Sequence, residues 1–309
     1  LEVNQKVAAE GEFDAIILAG MGGSGHPGDL LNTLQLPRIP LFVHRSYGLP
    51  KIHQKEPLVI ISSYSGNTEE ALSAYEEAKE RGLGIIINTS GGTLEQLSKQ
   101  ESLPLARIAF TDMQPRHTLF ASFVGIWKAL VNMKLAHDIT DDLLRISDVL
   151  QKSTPDMEAS ALELAKKLKG TTPVFASSDR LAFAAKNFKI QTNENAKTPA
   201  FWNEFPELNH NEMLGFTQPQ AAFHVVMLRD EEDHPRIKAR MDVTRELYQD
   251  WGVEVSEIAI QGTTLLEKLF YAVTYGLWTT YHLAGEYGID PVPVEGVENF
   301  KARLKEVAG

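Results

Sequence analysis

Apolar runs that alternate with helical patterns constrain this chain more than any other feature. Five runs in the first half have the length and composition of buried strands: 15–19, 40–43, 58–61, 84–87 and 105–110. Helical patterns separate most of them, most clearly at 68–81 and 117–134. Strands that alternate with helices are typical of a mostly parallel sheet covered by helices on both faces. The first half therefore predicts a doubly wound α/β domain.

A second alternating series begins near residue 173. Its predicted strands and helices are 173–176, 180–189, 222–228, 235–250, 253–260 and 263–285, followed by a short amphipathic helix at the end. The polar, helix-prone stretch 138–169 contains no strand run. We therefore predict α/β domains at 1–137 and 170–309, joined by the helical connection 138–169. Because the chain begins with Leu1, we also expect native residues before it.

Composition excludes several classes of function. A net charge of −11 without a basic stripe argues against a nucleic-acid partner. No apolar run approaches the length of a membrane span, so no membrane partner is predicted. The absence of cysteine excludes disulfides and thiolate catalysis, and it fits a cytoplasmic protein. The histidines other than His210 show no H-x-H or H-E-x-x-H pairing, so we predict no metal site.

The irregular stretch 189–216 (KIQTNENAKTPAFWNEFPELNHNEMLGF) is dense in charged, amide and aromatic side chains. Pro199 and Pro206 interrupt any long helix, so we predict a functional loop between regular elements. Carboxylates beside an imidazole suit general acid–base catalysis, although a solvated connection has the same composition. The residues alone do not choose a base among the four glutamates Glu194, Glu204, Glu207 and Glu212.

The segment Gly20–Gly25 (GMGGSG) follows the first strand and matches the G-x-G-x-x-G pattern of dinucleotide-binding loops. That function requires an acidic residue at the end of the second strand, which instead ends in Val43-His44-Arg45. The glycines nevertheless let backbone amides approach an anion at a helix N-terminus. We therefore favour Gly23 and Ser24 as ligands of a small anion.

A second turn, 62–68 (SSYSGNT), precedes the helix at 68–81 and combines hydroxyl groups with a glycine. Such a turn makes a neutral cradle for a phosphate monoester, whereas a helix cap needs only one hydroxyl. The residues Ser177-Ser178-Asp179 of the second half include neither glycine nor threonine, so we expect one phosphate site per chain. The predicted phosphate ligands are Gly23, Ser24, Ser63, Ser65 and Thr68.

Two motifs carry a family resemblance. N-E-N-A-K at 193–197 and E-L-N-H-N-E at 207–212 resemble the signature of the bifunctional phosphoglucose/phosphomannose isomerases, a branch of the sugar-isomerase (SIS) superfamily. The segment S-Y-S-G-N-T is similar to the phosphosugar loop of SIS domains. The resemblance extends over nearly the whole chain. It implies two SIS-like doubly wound parallel-sheet domains, with the phosphate site in the first and the catalytic stretch in the second.

The resemblance also implies residue roles. Glu194 would move the proton between C1 and C2, and His210 would assist ring opening together with Lys301 of V-E-N-F-K. Arg116 of Q-P-R would stabilise the enediolate oxygen, a role that suits a fixed guanidinium. From the residues alone, a surface-turn arginine and a solvated lysine remain alternatives. Proteins of this type tend to complete each active site with the neighbouring chain's histidine, so the resemblance implies a homodimer in which His210 acts across the interface.

The activity so implied is aldose–ketose isomerisation of glucose-6-phosphate and fructose-6-phosphate through a cis-enediol(ate), without a cofactor. Members with dual specificity have a threonine near the C-terminal site segment, whereas this chain has none between Gly285 and Lys301 and carries Val292 there. Glucose-6-phosphate is therefore implied more strongly than mannose-6-phosphate. The alternatives are a non-catalytic sugar-phosphate sensor and an amino-sugar phosphate isomerase. Aromatics in 263–285 favour core or dimer-face packing over a cofactor site.

Overall fold

The computed structural model describes residues 13–111 and 113–307 of the chain. The chain divides into two compact units, Leu1–Ile139 and Thr140–Gly309. Each described unit consists of a parallel sheet with helices, so the predicted fold class is confirmed. None of the described helices is long and apolar enough to cross a membrane.

The first unit contains a five-stranded parallel sheet in the order β2-β1-β3-β4-β5. The strands are β1 (Ala15–Ala19), β2 (Leu41–His44), β3 (Pro57–Ser62), β4 (Gly84–Thr89) and β5 (Leu105–Arg107). The helices are α1 (His26–Thr33), α2 (Glu69–Glu80), α3 (Gly92–Gln100) and α4 (Leu119–Asn132). All five predicted strands are confirmed, although the fifth ends at Arg107 rather than at residue 110. Strands β1 and β3 are buried along their whole length, as central strands of a parallel sheet are.

The second unit contains a four-stranded parallel sheet in the order β7-β6-β8-β9. Its strands are β6 (Thr172–Ser178), β7 (Phe201–Phe205), β8 (Phe223–Arg229) and β9 (Glu254–Ala259). Its helices are α5 (Thr140–Leu168), α6 (Ala182–Asn195), α7 (Pro235–Asp250), α8 (Leu265–Glu286) and α9 (Glu295–Val307). The predicted helical connection is thus α5, which lies within the second unit. There the Ser160 hydroxyl is 2.7 Å from the hydroxyl of Tyr275 on α8.

The prediction that 189–216 is a loop was wrong for two of its segments. Helix α6 continues to Asn195, because the Asn195 amide is buried and donates to Thr280 Oγ1 on α8 at 2.9 Å. Close packing of Phe188 against Gly276 holds the same two helices together. Residues 201–205 form β7, which pairs with β6 along its full length. Tertiary contacts thus override a local composition that lacks a clear period.

Each sheet has one point at which the strand order reverses. In the first unit, the chain moves from β1 to β2 on one side and from β3 to β4 and β5 on the other. The loops that follow β1 and β3 therefore meet at the carboxyl edge of the sheet, where open α/β sheets bind ligands. These loops are the glycine-rich segment and the S-Y-S-G-N-T turn. The equivalent point of the second sheet lies between β6 and β8.

Glycine is required where the S-Y-S-G-N-T turn contacts the loop after β4. Gly66 has a φ of +68°, and a Cβ atom there would lie 1.9 Å from the carbonyl oxygen of Gly91. Gly92, with a φ of +72°, would place a Cβ atom 2.1 Å from the Ser65 carbonyl oxygen. The two loops thus pack backbone against backbone, which fixes the turn relative to the sheet.

We predict that Gly66→Ala destabilises the protein more than Gly82→Ala does. Both glycines have a left-handed φ, so alanine costs about 1–2 kcal/mol at either position. At Gly82 no described atom lies within 4 Å of the added Cβ, whereas at Gly66 the clash adds roughly 1–3 kcal/mol. Urea unfolding of both variants measures the difference. Equal losses of unfolding free energy would contradict the backbone packing described for Gly66.

Candidate active site

Three predicted site segments come together at the carboxyl edge of the first sheet. Ser24 Oγ accepts a hydrogen bond from the Tyr64 amide at 3.1 Å, which joins the glycine-rich loop to the S-Y-S-G-N-T turn. A Cβ atom on Gly23 would lie 3.3 Å from the Pro115 carbonyl carbon and 3.4 Å from the Arg116 amide nitrogen. Glycine therefore permits the close approach of the first loop to the Q-P-R segment.

The hydroxyl groups of the turn bond to one another and to the turn's own backbone. Ser63 Oγ lies 2.8 Å from Thr68 Oγ1 and also accepts from the Gly66 amide at 3.1 Å. Ser65 Oγ accepts from the Asn67 amide at 3.3 Å. Thr68 is the N-cap residue of α2, yet its side chain makes no capping hydrogen bond. The hydroxyls thus gather beside a helix N-terminus, where free amides favour an anion.

Arg116 lies in a 3₁₀ turn, Pro115–Thr118, and only 3% of its surface is exposed. The structure therefore contradicts the surface-turn alternative for this arginine. A guanidinium is seldom buried without partners that hold it in place, because removing its charge from water is costly. Arg116 is thus a buried cation in a turn whose backbone lies beside the glycine-rich loop, and its predicted role is to stabilise a developing oxyanion.

Glu194 is half-buried in the last turn of α6, and side chains on both sides of it are tied down. The Asn193 amide donates to the Thr198 carbonyl at 2.8 Å. The Asn195 amide donates to Thr280 Oγ1 and also to Gln191 Oε1 at 3.1 Å. The end of the helix therefore has little freedom to shift, and the Glu194 carboxylate starts from a fixed backbone.

Glu194 and His210 of one chain lie at opposite ends of β7. Helix α6 runs antiparallel to β6 and ends at the amino edge of the sheet, and β7 begins there. His210 follows β7 in the 3₁₀ turn Glu207–His210, at the carboxyl edge. Because a strand rises about 3.3 Å per residue, the five residues of β7 span roughly 17 Å. The structure thus does not bring these two predicted catalytic residues together within one unit.

His210 and Lys301 are both exposed. Within residues 13–111 and 113–307, the His210 side chain makes no hydrogen bond or ion pair. Lys301 pairs with Glu298 at 2.8 Å on α9, a helix without buried residues in its described part. No hydrogen bond or ion pair of the described residues joins either side chain to another predicted site residue. A single chain therefore leaves the predicted ring-opening pair unassembled.

Two of the alternative glutamates have perturbed acidity. Burial raises the pKa of Glu212, although the Asn203 amide, which donates to Glu212 Oε2 at 2.8 Å, works against this shift. Burial also raises the pKa of Glu204, with further contributions from the charges of Asp179 and Glu207. Protonation of both groups is therefore easier than for an ordinary glutamate, so they remain the alternatives against which Glu194 must be tested.

An ion cluster that the sequence reasoning missed occupies the carboxyl edge of the second sheet. Lys268 Nζ, nearly fully buried, lies 2.5 Å from Asp230 Oδ1 and 2.9 Å from Glu232 Oε2. Arg180 pairs with Glu232 at 2.8 Å. The cations next to Ser177-Ser178-Asp179 are thus already neutralised by carboxylates. A lysine directly before the apolar run 269–273 of helix 263–285 was the signal that could have revealed this cluster.

Among the residues that the structure describes, neither a metal-binding cluster nor the cavity in the second unit coincides with the predicted site residues. The described residues contain no group of three or more histidine, aspartate or glutamate side chains able to hold a metal ion. A cavity of about 360 Å³ in the second unit is lined by residues of α5, α8 and the end of β9. None of the predicted site residues lines it. The cavity and the predicted site residues are therefore separate features of the described chain.

Comparison with known proteins gives consistent relatives. Residues 157–304 match the family described as the bacterial phospho-glucose isomerase C-terminal SIS domain. A bifunctional phosphoglucose/phosphomannose isomerase of Caldicellulosiruptor bescii is 35% identical over 99% of this chain and 93% of its own. One from Aquifex aeolicus is 35% identical over 96% and 92%. The crystal structure of a hypothetical protein from Thermus thermophilus superposes with a TM-score of 0.76 at 15% identity, over 96% of this chain and 84% of that one.

Two parallel α/β units, with a hydroxyl-rich turn at the reversal point of the first, define a double-SIS protein. The similarity to full-length relatives narrows this class. The chain belongs to the bifunctional phosphoglucose/phosphomannose isomerase family.

We predict that Thr68→Ala weakens the binding of a non-reacting hexitol 6-phosphate roughly 10- to 150-fold. The predicted role of the Thr68 hydroxyl is to donate to a charged phosphate oxygen, and such a hydrogen bond contributes about 1.5–3 kcal/mol. The matched control is Thr264→Ala on α8, since the Thr264 hydroxyl is a true cap that accepts from the Glu267 amide at 3.2 Å. That variant should lose about 1 kcal/mol of stability without a change in Kd. If Thr68→Ala also lost stability without a change in Kd, the turn would be only a helix cap.

Proposed function

We propose that this chain interconverts glucose-6-phosphate and fructose-6-phosphate by moving one proton between C1 and C2. The observation that carries the proposal is Glu194, a half-buried carboxylate on a helix end held by hydrogen bonds on both sides. It stands in the N-E-N-A-K motif of a chain related over nearly its full length to enzymes named for this activity. The cysteine-free composition fits a cytoplasmic location.

The phosphate is proposed to bind to the first unit. Hydroxyl groups of the S-Y-S-G-N-T turn and backbone amides at the N-terminus of α2 would donate to its oxygens. Ser24 would complete the cradle, because its hydroxyl already contacts the turn at Tyr64. Gly23 keeps the loop close to the Arg116 turn. The anchored phosphate would hold the sugar chain in one orientation for the reaction, which lowers its entropic barrier.

The proton transfer follows from the chemistry of the two carbons. The Glu194 carboxylate takes a proton from C1 of the open-chain ketose, the C1–C2 bond becomes a double bond, and negative charge moves onto O2. The Arg116 guanidinium stabilises this enediolate oxygen. The O1 proton then moves to O2, and Glu194 returns its proton to C2 to give the aldose. No cofactor is required, because the reaction moves protons within one substrate without any net oxidation or reduction of it.

Ring opening is assigned to His210 and Lys301, and we propose that the two chains of a homodimer share this task. The support is the separation of Glu194 and His210 by the length of β7, together with the exposure of His210. A second chain related by a two-fold axis would bring its own His210 to the first chain's Glu194 and receive the same in return. Imidazole suits the step because it accepts and donates protons near neutral pH.

The choice between the C2 epimers is assigned to the segment Asp290–Pro293. Both aldoses arise from the same enediol, so selectivity depends on rotation about the C2–C3 bond before C2 is protonated. Val292 offers no hydroxyl to guide that rotation, and its amide is fixed to Asp290 Oδ1 at 2.9 Å. We therefore propose that glucose-6-phosphate is preferred and that mannose-6-phosphate is the slower substrate.

We predict that Glu194→Gln keeps substrate binding and lowers turnover by roughly two to four orders of magnitude. Glutamine preserves the shape of the side chain but cannot take the C1 proton. A coupled assay with fructose-6-phosphate measures turnover, and the hexitol 6-phosphate Kd measures binding. The control is Glu212→Gln, which should remain active although burial raises the pKa of Glu212. The opposite pattern would assign the base to Glu212.

We predict that mixing inactive Glu194→Gln with inactive His210→Ala restores activity once subunits exchange. Each heterodimer would contain one doubly mutated site and one intact site. Random pairing makes half of the dimers mixed, so about a quarter of the wild-type activity per site should return. If one chain supplies both residues, no site is ever intact. Subunit exchange confirmed by native mass spectrometry, without recovered activity, would exclude the shared site.

A further inference from the structure

Lys197 follows the end of α6 and adopts an unusual backbone conformation. Its φ is +53°, in the left-handed region that glycine and asparagine enter more readily than lysine does. A lysine in this position has no advantage from its backbone. The reason for its presence must therefore lie in the side chain, which is long and carries an ammonium group with three donors.

The ammonium group bridges two backbone carbonyls. Lys197 Nζ donates to the carbonyl oxygen of Glu194, in the last turn of α6, and to that of Pro291 at 3.1 Å. The last carbonyls of a helix have no partner within the helix, and a cation is favoured there by the helix dipole. The Lys197 amine thus gives one terminal carbonyl of α6 a hydrogen-bond partner and links the end of the helix to a segment that is distant in sequence.

The segment so tied is rigid and carries the predicted specificity residue. Pro291 and Pro293 restrict the backbone on both sides of Val292, and the Val292 amide is bonded to the Asp290 carboxylate. A shift of the Pro291 carbonyl would therefore move Val292 with it. The amine of Lys197 consequently links the backbone of Glu194, the proposed base, to the segment that contains Val292, the proposed specificity residue.

We propose that Lys197 is a positioning residue that sets the distance between Glu194 and Val292 and thereby the ratio of C2 epimers formed. The inference rests on the proposed function and adds a residue that controls its stereochemical outcome. Glu194 must reach both C1 and C2, and Val292 must limit rotation of the enediol before the proton returns. Both requirements depend on one spacing, which the two hydrogen bonds of Lys197 hold constant.

The test compares Lys197→Met, Lys197→Gly and a control within helix α6, Lys189→Met. The Lys189 side chain makes no hydrogen bond or ion pair within the described part of the chain. Methionine keeps the stem of Lys197 without the amine, whereas glycine also removes the stem but suits the left-handed backbone. The initial glucose-6-phosphate and mannose-6-phosphate formed from fructose-6-phosphate are read separately, with kcat, KM and the hexitol 6-phosphate Kd.

Both Lys197 variants should lose about tenfold or more in kcat, since a misplacement of 1 Å can cost about a hundredfold. Their share of mannose-6-phosphate should rise alike, with the inhibitor Kd unchanged, while Lys189→Met matches wild type. A purely structural lysine would lower stability and both products equally, and an unchanged epimer ratio in both variants would overturn the inference alone. Wild-type protein that converts no fructose-6-phosphate would overturn the proposed function and the inference together.

Discussion

The end of helix α6 is the constraint on which the candidate catalytic unit depends. A helix leaves its last carbonyls unpaired, and a chain that ends there would normally fray. Here Asn195 is buried against Thr280, Asn193 holds the following loop, and Lys197 bridges the Glu194 and Pro291 carbonyls. The polar residues of N-E-N-A-K, whose composition is typical of a loop, make the hydrogen bonds that fix the end of α6. The backbone of Glu194 is fixed because the residues on both sides of it make these bonds.

In the first unit, the loops at the carboxyl edge of the sheet are held by backbone packing rather than by the side-chain hydrogen bonds that hold the end of α6. Its hydroxyl-rich turn at 62–68 is held by backbone contacts, since Gly66 and Gly92 let two loops approach more closely than a Cβ atom would allow. Ser24 and Gly23 then connect this turn to the loop after β1 and to the Arg116 turn. In the second unit, the same edge of the sheet holds the buried Lys268–Asp230 pair instead. The two units thus differ at this edge: the first presents hydroxyls beside a helix N-terminus, whereas the second holds cations that its own carboxylates neutralise.

Much of this architecture could be predicted from the sequence, because continuous apolar runs such as 15–19 are typical of strands that are buried on both faces. The hydroxyl-rich turn was also visible, since few structural roles need three hydroxyls before one helix. The extension of α6 and the strand β7 were not predictable, because both depend on contacts with α8 and β6 that are distant in sequence. The separation of Glu194 from His210 was likewise hidden. The spacing of sixteen residues between Glu194 and His210 does not reveal that strand β7 lies between them and places them at opposite edges of the sheet.

The central claim is that a carboxylate moves one proton between C1 and C2 through an enediolate. Isomerisation of fructose-6-phosphate in D₂O, followed by NMR over many turnovers, tests it most directly. The base exchanges its proton with solvent in some fraction of turnovers, so deuterium should accumulate at C2 of the glucose-6-phosphate formed and at C1 of the ketose. Deuterium at neither carbon after repeated equilibration would indicate direct hydride transfer, and it would contradict the role assigned to Glu194.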